Sequence, residues 1–182
     1  MLFGWADEAR LSPDAVRSDM TCEELYELYA TDVLRFAYFY LGDRHRAEDV
    51  CQDVFVRFLT NQPQIEAGHE KAWLLRVAVN RCRDIWRSSW LKRVVLGHPA
   101  FELFPAPDEI ENLAEKQELM EAVNSLPTVF REVILLHFYQ GFNTNEIAEM
   151  LSIAVGTVAS RTNRGKKLIE QYLNGGLKND QT

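Results

Sequence analysis

The sequence predicts an all-α fold: two small helical domains joined by a Pro-containing linker, the C-terminal one a helix-turn-helix. Three observations carry this expectation. Apolar residues recur at helical spacing through most of the 182 residues,. No segment reads convincingly as a strand. Residues 89–110 break the periodicity and hold Gly97, Pro99, Pro105 and Pro107, the composition of a linker,.

The elements follow in chain order. Residues 1–20 are an acidic, weakly patterned lead of the kind that is ordinarily mobile, with Phe3 and Trp5 as its candidate docking residues,. The first domain spans residues 21–88. Thr21 and Glu24 have capping-box spacing, and Leu25, Leu28, Tyr29, Val33, Phe36, Ala37 and Tyr40 then form one stripe that Gly42 closes,. A second helix over about 44–59 places Ala47, Val50, Cys51, Val54, Phe55 and Phe58 on its apolar face and ends before Pro63,. A third, over about 70–88, turns Trp73, Leu74, Val77, Ala78 and Ile85 inward and most of its basic residues outward. The second domain spans residues 111–174, with helices over about 111–125, 128–139, 146–151 and 155–174, and residues 175–182 are a polar tail behind Gly175-Gly176,.

Composition narrows the function. The chain is 47% apolar and 26% charged, as soluble globular proteins are,. Its apolar runs, such as residues 133–138, fall far short of the about 18 residues of a membrane span, and Asp7 and Glu8 spoil any signal peptide,. Three scattered cysteines (Cys22, Cys51, Cys82) form no CxxC pair and no disulfide framework,. A soluble, cytoplasmic protein that is not itself a membrane protein is the expectation.

Net charge is −7, but it is unevenly spread. Residues 61–93 carry +4 and residues 152–182 carry +3, while residues 1–34 and 94–151 carry −6 and −8. Two basic islands in an acidic chain suit a polyanion gripped at two places. The competing interpretation is that each island is an ordinary solvated helix face.

The C-terminal island sits on a motif. Asn143 and Glu146 mark a helix start, Ile147, Ala148 and Leu151 give that short helix a buried face, and Ser152-Ile153-Ala154 makes a turn,. The next helix turns Val158, Thr162, Gly165, Ile169 and Tyr172 inward. A short helix, a turn and a basic helix describe a helix-turn-helix, whose second helix enters the major groove by its N-terminal residues. Those are Gly156, Thr157, Ala159, Ser160 and Arg161, with Arg164, Lys166 and Lys167 further along and suited to phosphates,.

Two motif sets now carry a resemblance. Leu126-Pro127-Thr128-Val129-Phe130-Arg131-Glu132-Val133, Glu146-Ile147-Ala148 and residues 155–161 resemble region 4 of extracytoplasmic-function (ECF) sigma factors. Leu41-Gly42-Asp43, residues 47–55, Lys71-Ala72-Trp73-Leu74, and Asn80 with Asp84 are similar to region 2 of the same family. The sets stand in the family's order with a linker between.

The resemblance implies a promoter-specificity subunit that binds core RNA polymerase, is a monomer when free, answers to stress or envelope signals, and is restrained by an anti-sigma protein. It implies that Asp49, Gln52 and Asp53 face the polymerase clamp helices. It places Lys71, Trp73, Arg76, Asn80, Arg83 and Arg87 at the minus-ten element, where single-stranded bases are held by stacking and phosphate contacts,. Trp73 reads equally well as core. Residues 62–69 lie where the family holds a flipped base. The minus-thirty-five element falls to Arg131, Gly156, Thr157, Ala159, Ser160, Arg161, Arg164 and Lys167. Ala154, Ala159, Thr162 and Gly165 depart from the family's usual residues. A mid-helix Gly costs about 1 kcal/mol against Ala, which predicts a recognition helix of low intrinsic stability.

No other chemistry is legible. The four histidines and three cysteines lack metal-ligand spacing, and no nucleophile elbow, P-loop or dinucleotide fingerprint occurs,. No enzyme activity, metal or cofactor is expected. Two rival functions remain at this level: a stand-alone helix-turn-helix regulator, which leaves the basic, aromatic segment 71–87 unused, and a protein-binding helical adaptor, which leaves both islands unused.

Overall fold

The computed structural model describes residues 18–96 and 113–175, with side chains over residues 18–88 and 118–175. Phe3 and Trp5, the linker from Gly97 onward and the end of the tail lie outside the described residues. Within them, seven α-helices form and no sheet does.

Local signals set the helix ends. Helix α1 (Cys22–Leu41) starts on the expected capping box, with the Thr21 N–H donating to Glu24 at 2.7 Å. It stops at Gly42, whose φ of +68° is the left-handed conformation that glycine adopts without strain,. Helix α2 (Arg44–Asn61) is capped by Asp43 and buries Ala47, Val50, Cys51, Val54 and Phe55, the face read from the sequence. Leu28 departs from expectation and is 59% exposed. The first turns of α1 pack on α2, as the Tyr26–Phe55 ring contact shows, and cover only a narrow stripe there.

Helix α3 (Glu70–Leu96) runs past the helix end expected at about residue 88. No Pro or Gly occurs between Glu70 and Gly97, so nothing breaks the helix sooner,. Its buried stripe is Leu74, Leu75, Ala78, Val79 and Cys82, rotated by one position from the expected one. The cause is that α3 packs against both α1 and α2, which centres its buried face between them. Trp73 sits at the border of that face, half-buried, its ring edge-on to Phe58 at 5.8 Å.

The second half comprises α4 (Leu113–Ser125), α5 (Thr128–Ile134), α6 (Thr144–Leu151) and α7 (Val155–Leu173). The helix expected to run through 139 widens after Ile134 into a π turn over Leu135–Tyr139, with the Gln140 N–H donating back to the Leu135 carbonyl at 3.0 Å,. Asn143 and Glu146 make the expected capping box on α6, and Ser152 turns the chain into α7.

Gly165 is where the structure reverses a sequence argument. A Cβ built there lies 2.8 Å from Ile134 Cγ1 and 3.0 Å from Cδ1. Ile134 is itself buried, so it has no room to yield. The glycine that weakens α7 in isolation lets α7 approach α5. Gly165→Ala is therefore expected to destabilise the protein by about 1–3 kcal/mol through overpacking, instead of stabilising it by propensity. Urea denaturation reads the sign directly.

The halves do not stand apart. Helix α1 packs against α4 and α5, and α3 against α6. Buried residues of both halves, such as Phe36 and Tyr40 with Val133 and Leu136, belong to one apolar cluster. The seam between them contains the most highly charged part of the interior.

Candidate polymerase and nucleic-acid interfaces

On α2 the face opposite the buried stripe presents Asp49 and Gln52 to solvent. Asp53 is different, since its carboxylate accepts from Arg81 Nε of α3 at 2.5 Å, with both side chains more than a third exposed. Two residues that the sequence reading passed over continue the same face: Val56 and Leu59, 58% and 59% exposed. Positions 49, 52, 56 and 59 recur at helical spacing, and exposed apolar residues in such a row suit a protein partner. Their absence from the buried stripe was the available signal.

The residues expected at the minus-ten element lie along α3 but are not alike. Lys71 Nζ pairs with Asp32 of α1 at 3.1 Å. Arg76 and Asn80 are half-buried, and Arg87 is exposed, 4.0 Å from Asp84. Arg83, 32% exposed, reaches into the seam, where Nε and a terminal nitrogen donate to the two oxygens of Glu132 at 2.9 and 2.7 Å. Burial alone would lower the Arg83 guanidinium's pKa, but the Glu132 carboxylate holds it above its ordinary value. Before this helix, the Gly68 N–H donates to the buried Glu70 carboxylate at 2.8 Å, which fixes the approach to α3.

On α7, Gly156, Ala159, Ser160, Arg164 and Lys167 are exposed and Thr157 is half-buried. Its leading end is therefore open to solvent, in keeping with a recognition helix. Arg161 is the exception. It is only 25% exposed and reaches Glu132 at 3.5 Å. A groove of about 530 Å³ runs between α3 and α7, lined by Arg83, Trp86, Val129, Leu151 and Arg161.

Arg131 stands apart from the other residues expected at the minus-thirty-five element, because here it is 2% exposed. Its guanidinium donates to the carbonyls of Tyr40 at 2.5 Å, Leu126 at 2.9 Å and Asn124, and lies over the Trp86 ring at 5.0 Å. Tyr40 lies in the last turn of α1, Asn124 in the last turn of α4 and Leu126 just past it, and helix ends leave carbonyls without intrahelical partners,. Neither helix has a basic residue of its own described in its last turn. One guanidinium thus supplies the positive charge favoured at two helix C-termini. Burial pulls its pKa down to about 10, so it remains charged at neutral pH.

Its neighbour Glu132, also 2% exposed, was not read as a site from the sequence. It is the one carboxylate shared by Arg83 of α3 and Arg161 of α7. The adjacent charged pair Arg131-Glu132 inside the apolar run from Val129 to Ile134 was the only trace of it.

Residues 25–92 match the family model for sigma-70 region 2, and residues 116–169 match that for sigma-70 region 4. The ECF RNA polymerase sigma factor SigL of Mycobacterium tuberculosis is 33% identical over 160 residues, covering 84% of this chain and 89% of SigL. SigE of Mycolicibacterium smegmatis is 31% identical over 156 residues, and the match spans 83% of this chain but 61% of SigE. Among solved structures, the sigma factor RpoE of Bartonella quintana, in complex with the anti-sigma factor NepR, is similar at a TM-score of 0.74 and 25% identity, over 84% of this chain and 96% of that one. With both regions matched in order and a relative at this identity aligned nearly end to end, the chain belongs to the extracytoplasmic-function family of RNA polymerase sigma factors.

Proposed function

We propose that this sigma factor docks on core polymerase through the Asp49–Gln52 face of α2, extended by Val56 and Leu59, and reads promoters with two helices. Along α3, Lys71, Trp73, Arg76, Asn80, Arg83 and Arg87 engage the minus-ten element. On α7, Gly156, Thr157, Ala159, Ser160 and Arg161 meet the bases of the minus-thirty-five element, and Arg164 and Lys167 hold its phosphates. The observation that supports this reading best is the open, small-residue leading end of α7, followed by the exposed Arg164 and Lys167, in a chain with a second basic helix in its other half. The protein acts in the cytoplasm, is not an enzyme, and answers to a protein inhibitor, as Bartonella RpoE is bound by NepR.

A stand-alone regulator would need its recognition helix free in the isolated chain, and the Arg161–Glu132 contact argues against that. Run-off transcription from a genomic promoter library tests the proposal. A defined set of transcripts with core polymerase is expected. Tight, sequence-selective duplex binding by the chain alone, with no core-dependent transcripts, would favour the regulator.

The docking face makes its own prediction. Asp49→Ala with Gln52→Ala should leave helicity and melting nearly unchanged, because both side chains are solvated, while weakening association with core. Association titrated by fluorescence anisotropy at wild-type strength would remove the assignment.

A further inference from the structure

The seam is built unlike a permanent core. It buries a guanidinium, Arg131, whose hydrogen bonds go to backbone carbonyls. It buries a carboxylate, Glu132, between Arg83 and Arg161. Among the described residues, the buried side-chain atoms that complete no hydrogen bond are Tyr40 Oη, Asn124 Oδ1, Arg131 Nε and Gln140 Oε1. All belong to residues at or beside the seam: Tyr40 under Arg131, Asn124 against Gly42, and Gln140 donating by its other amide atom to the Asp32 carbonyl across it. Native interiors satisfy nearly all such atoms, and buried charge gains little over the same groups in water. The polar part of this contact can part and hydrate its groups at little net cost, which leaves the apolar residues shared across the seam, such as Phe36 and Leu136, as the main resistance to opening,.

The groups that hold it shut are also two of the cations that the proposed function gives to DNA. Arg83 lies on the helix assigned to the minus-ten element and Arg161 on the one assigned to the minus-thirty-five element. Guanidiniums take carboxylate and phosphate in the same forked geometry. We infer that Glu132 is an internal stand-in for promoter phosphate, which clamps α3 to α7 in the free chain and keeps both from DNA until the halves separate. This rests on the assignment of Arg83 and Arg161 to DNA. Closure and binding then exclude each other because one carboxylate occupies both guanidiniums. Separation releases both at once and frees α7 to take a spacing from α3 that a promoter requires.

The test compares wild type with Glu132→Gln, which keeps shape and removes charge, and Glu132→Asp, which keeps charge but withdraws it by one methylene. Glu149→Gln, an exposed change on α6, controls for the gain of one positive unit. Fluorophores at the exposed positions Thr60 and Asn163 report the separation of the halves. In the free chain, Glu132→Gln should lengthen that separation and raise affinity for promoter duplex about tenfold beyond Glu149→Gln. Glu132→Asp should fall between it and wild type. With core polymerase present, all four proteins should bind promoter alike within about twofold. If Glu132→Gln loses helicity, Glu132→Asp decides by the same two readouts. Unchanged separation, or separation without a gain in duplex affinity, overturns the inference. Failure of the wild-type chain to support any core-dependent transcript would instead overturn the function proposed above, and it leaves the separation measurement intact.

Discussion

Arg131→Ala is expected to lower the free energy of unfolding by about 3 kcal/mol or more, the largest stability loss of any charged-residue change among the described residues. The substitution strips the hydrogen-bond donor from three carbonyls, those of Tyr40, Asn124 and Leu126. A buried acceptor left without a partner costs about 1–3 kcal/mol. Two effects partly offset this loss: removing the buried charge, and hydration of the carbonyls if the seam opens. Arg131→Lys should recover little, because an ammonium lacks the planar fork that spans three carbonyls while lying over the Trp86 and Tyr40 rings,. Urea denaturation of the three proteins measures the effect. A loss under 1 kcal/mol for the alanine variant would show that Arg131 is a surface cation in solution. The residue sits in a motif that resembles a DNA-contacting region, yet here its first task is to close two helix ends and join the halves.

What the sequence disclosed and what it hid follow from the range of each interaction. Thr21 with Glu24 and Asn143 with Glu146 act over three residues, and both capping boxes form as read. Breakers act locally as well, so Gly42 and Pro63 mark true ends, and the lack of one before Gly97 was an equally plain sign that α3 runs past residue 88. Periodicity located the buried face of α2 but not that of α3, because a helix covered by two neighbours buries the arc between them. The seam was out of reach altogether. Arg131 meets a carbonyl 91 positions away and Glu132 a guanidinium 49 away, and no pattern along one chain pairs such residues. The same distance hid the reason for Gly165, which only the position of Ile134 explains. The basic residues of α7, from which the proposed DNA contacts are drawn, were legible as local facts of the sequence. Which of them are free and which are occupied in the closed chain was not.

That distinction decides how Arg161 and Arg164 should behave when each is replaced by alanine. The two lie three positions apart on α7, so their side chains point in neighbouring directions,. Arg164 is exposed, whereas Arg161 leans toward Glu132 at 3.5 Å along the groove. If Arg161 reads a base edge on the polymerase-bound promoter, its loss should cost about 1–3 kcal/mol and relax preference at one base pair of the minus-thirty-five element. Loss of Arg164 should weaken all such elements alike and lower the salt slope by about one unit. Selection of randomised minus-thirty-five duplexes by holoenzyme, followed by salt titration, separates the two outcomes, and identical selectivity profiles would refute the division of labour. The measurement belongs with core polymerase present, because in the free chain Arg161 has two opposed roles. Removing it deletes the proposed DNA contact and also one of the two guanidiniums that hold Glu132. Arg161→Ala should therefore lose less duplex affinity as a free chain than as holoenzyme, while Arg164→Ala, which holds nothing at the seam, should lose the same in both.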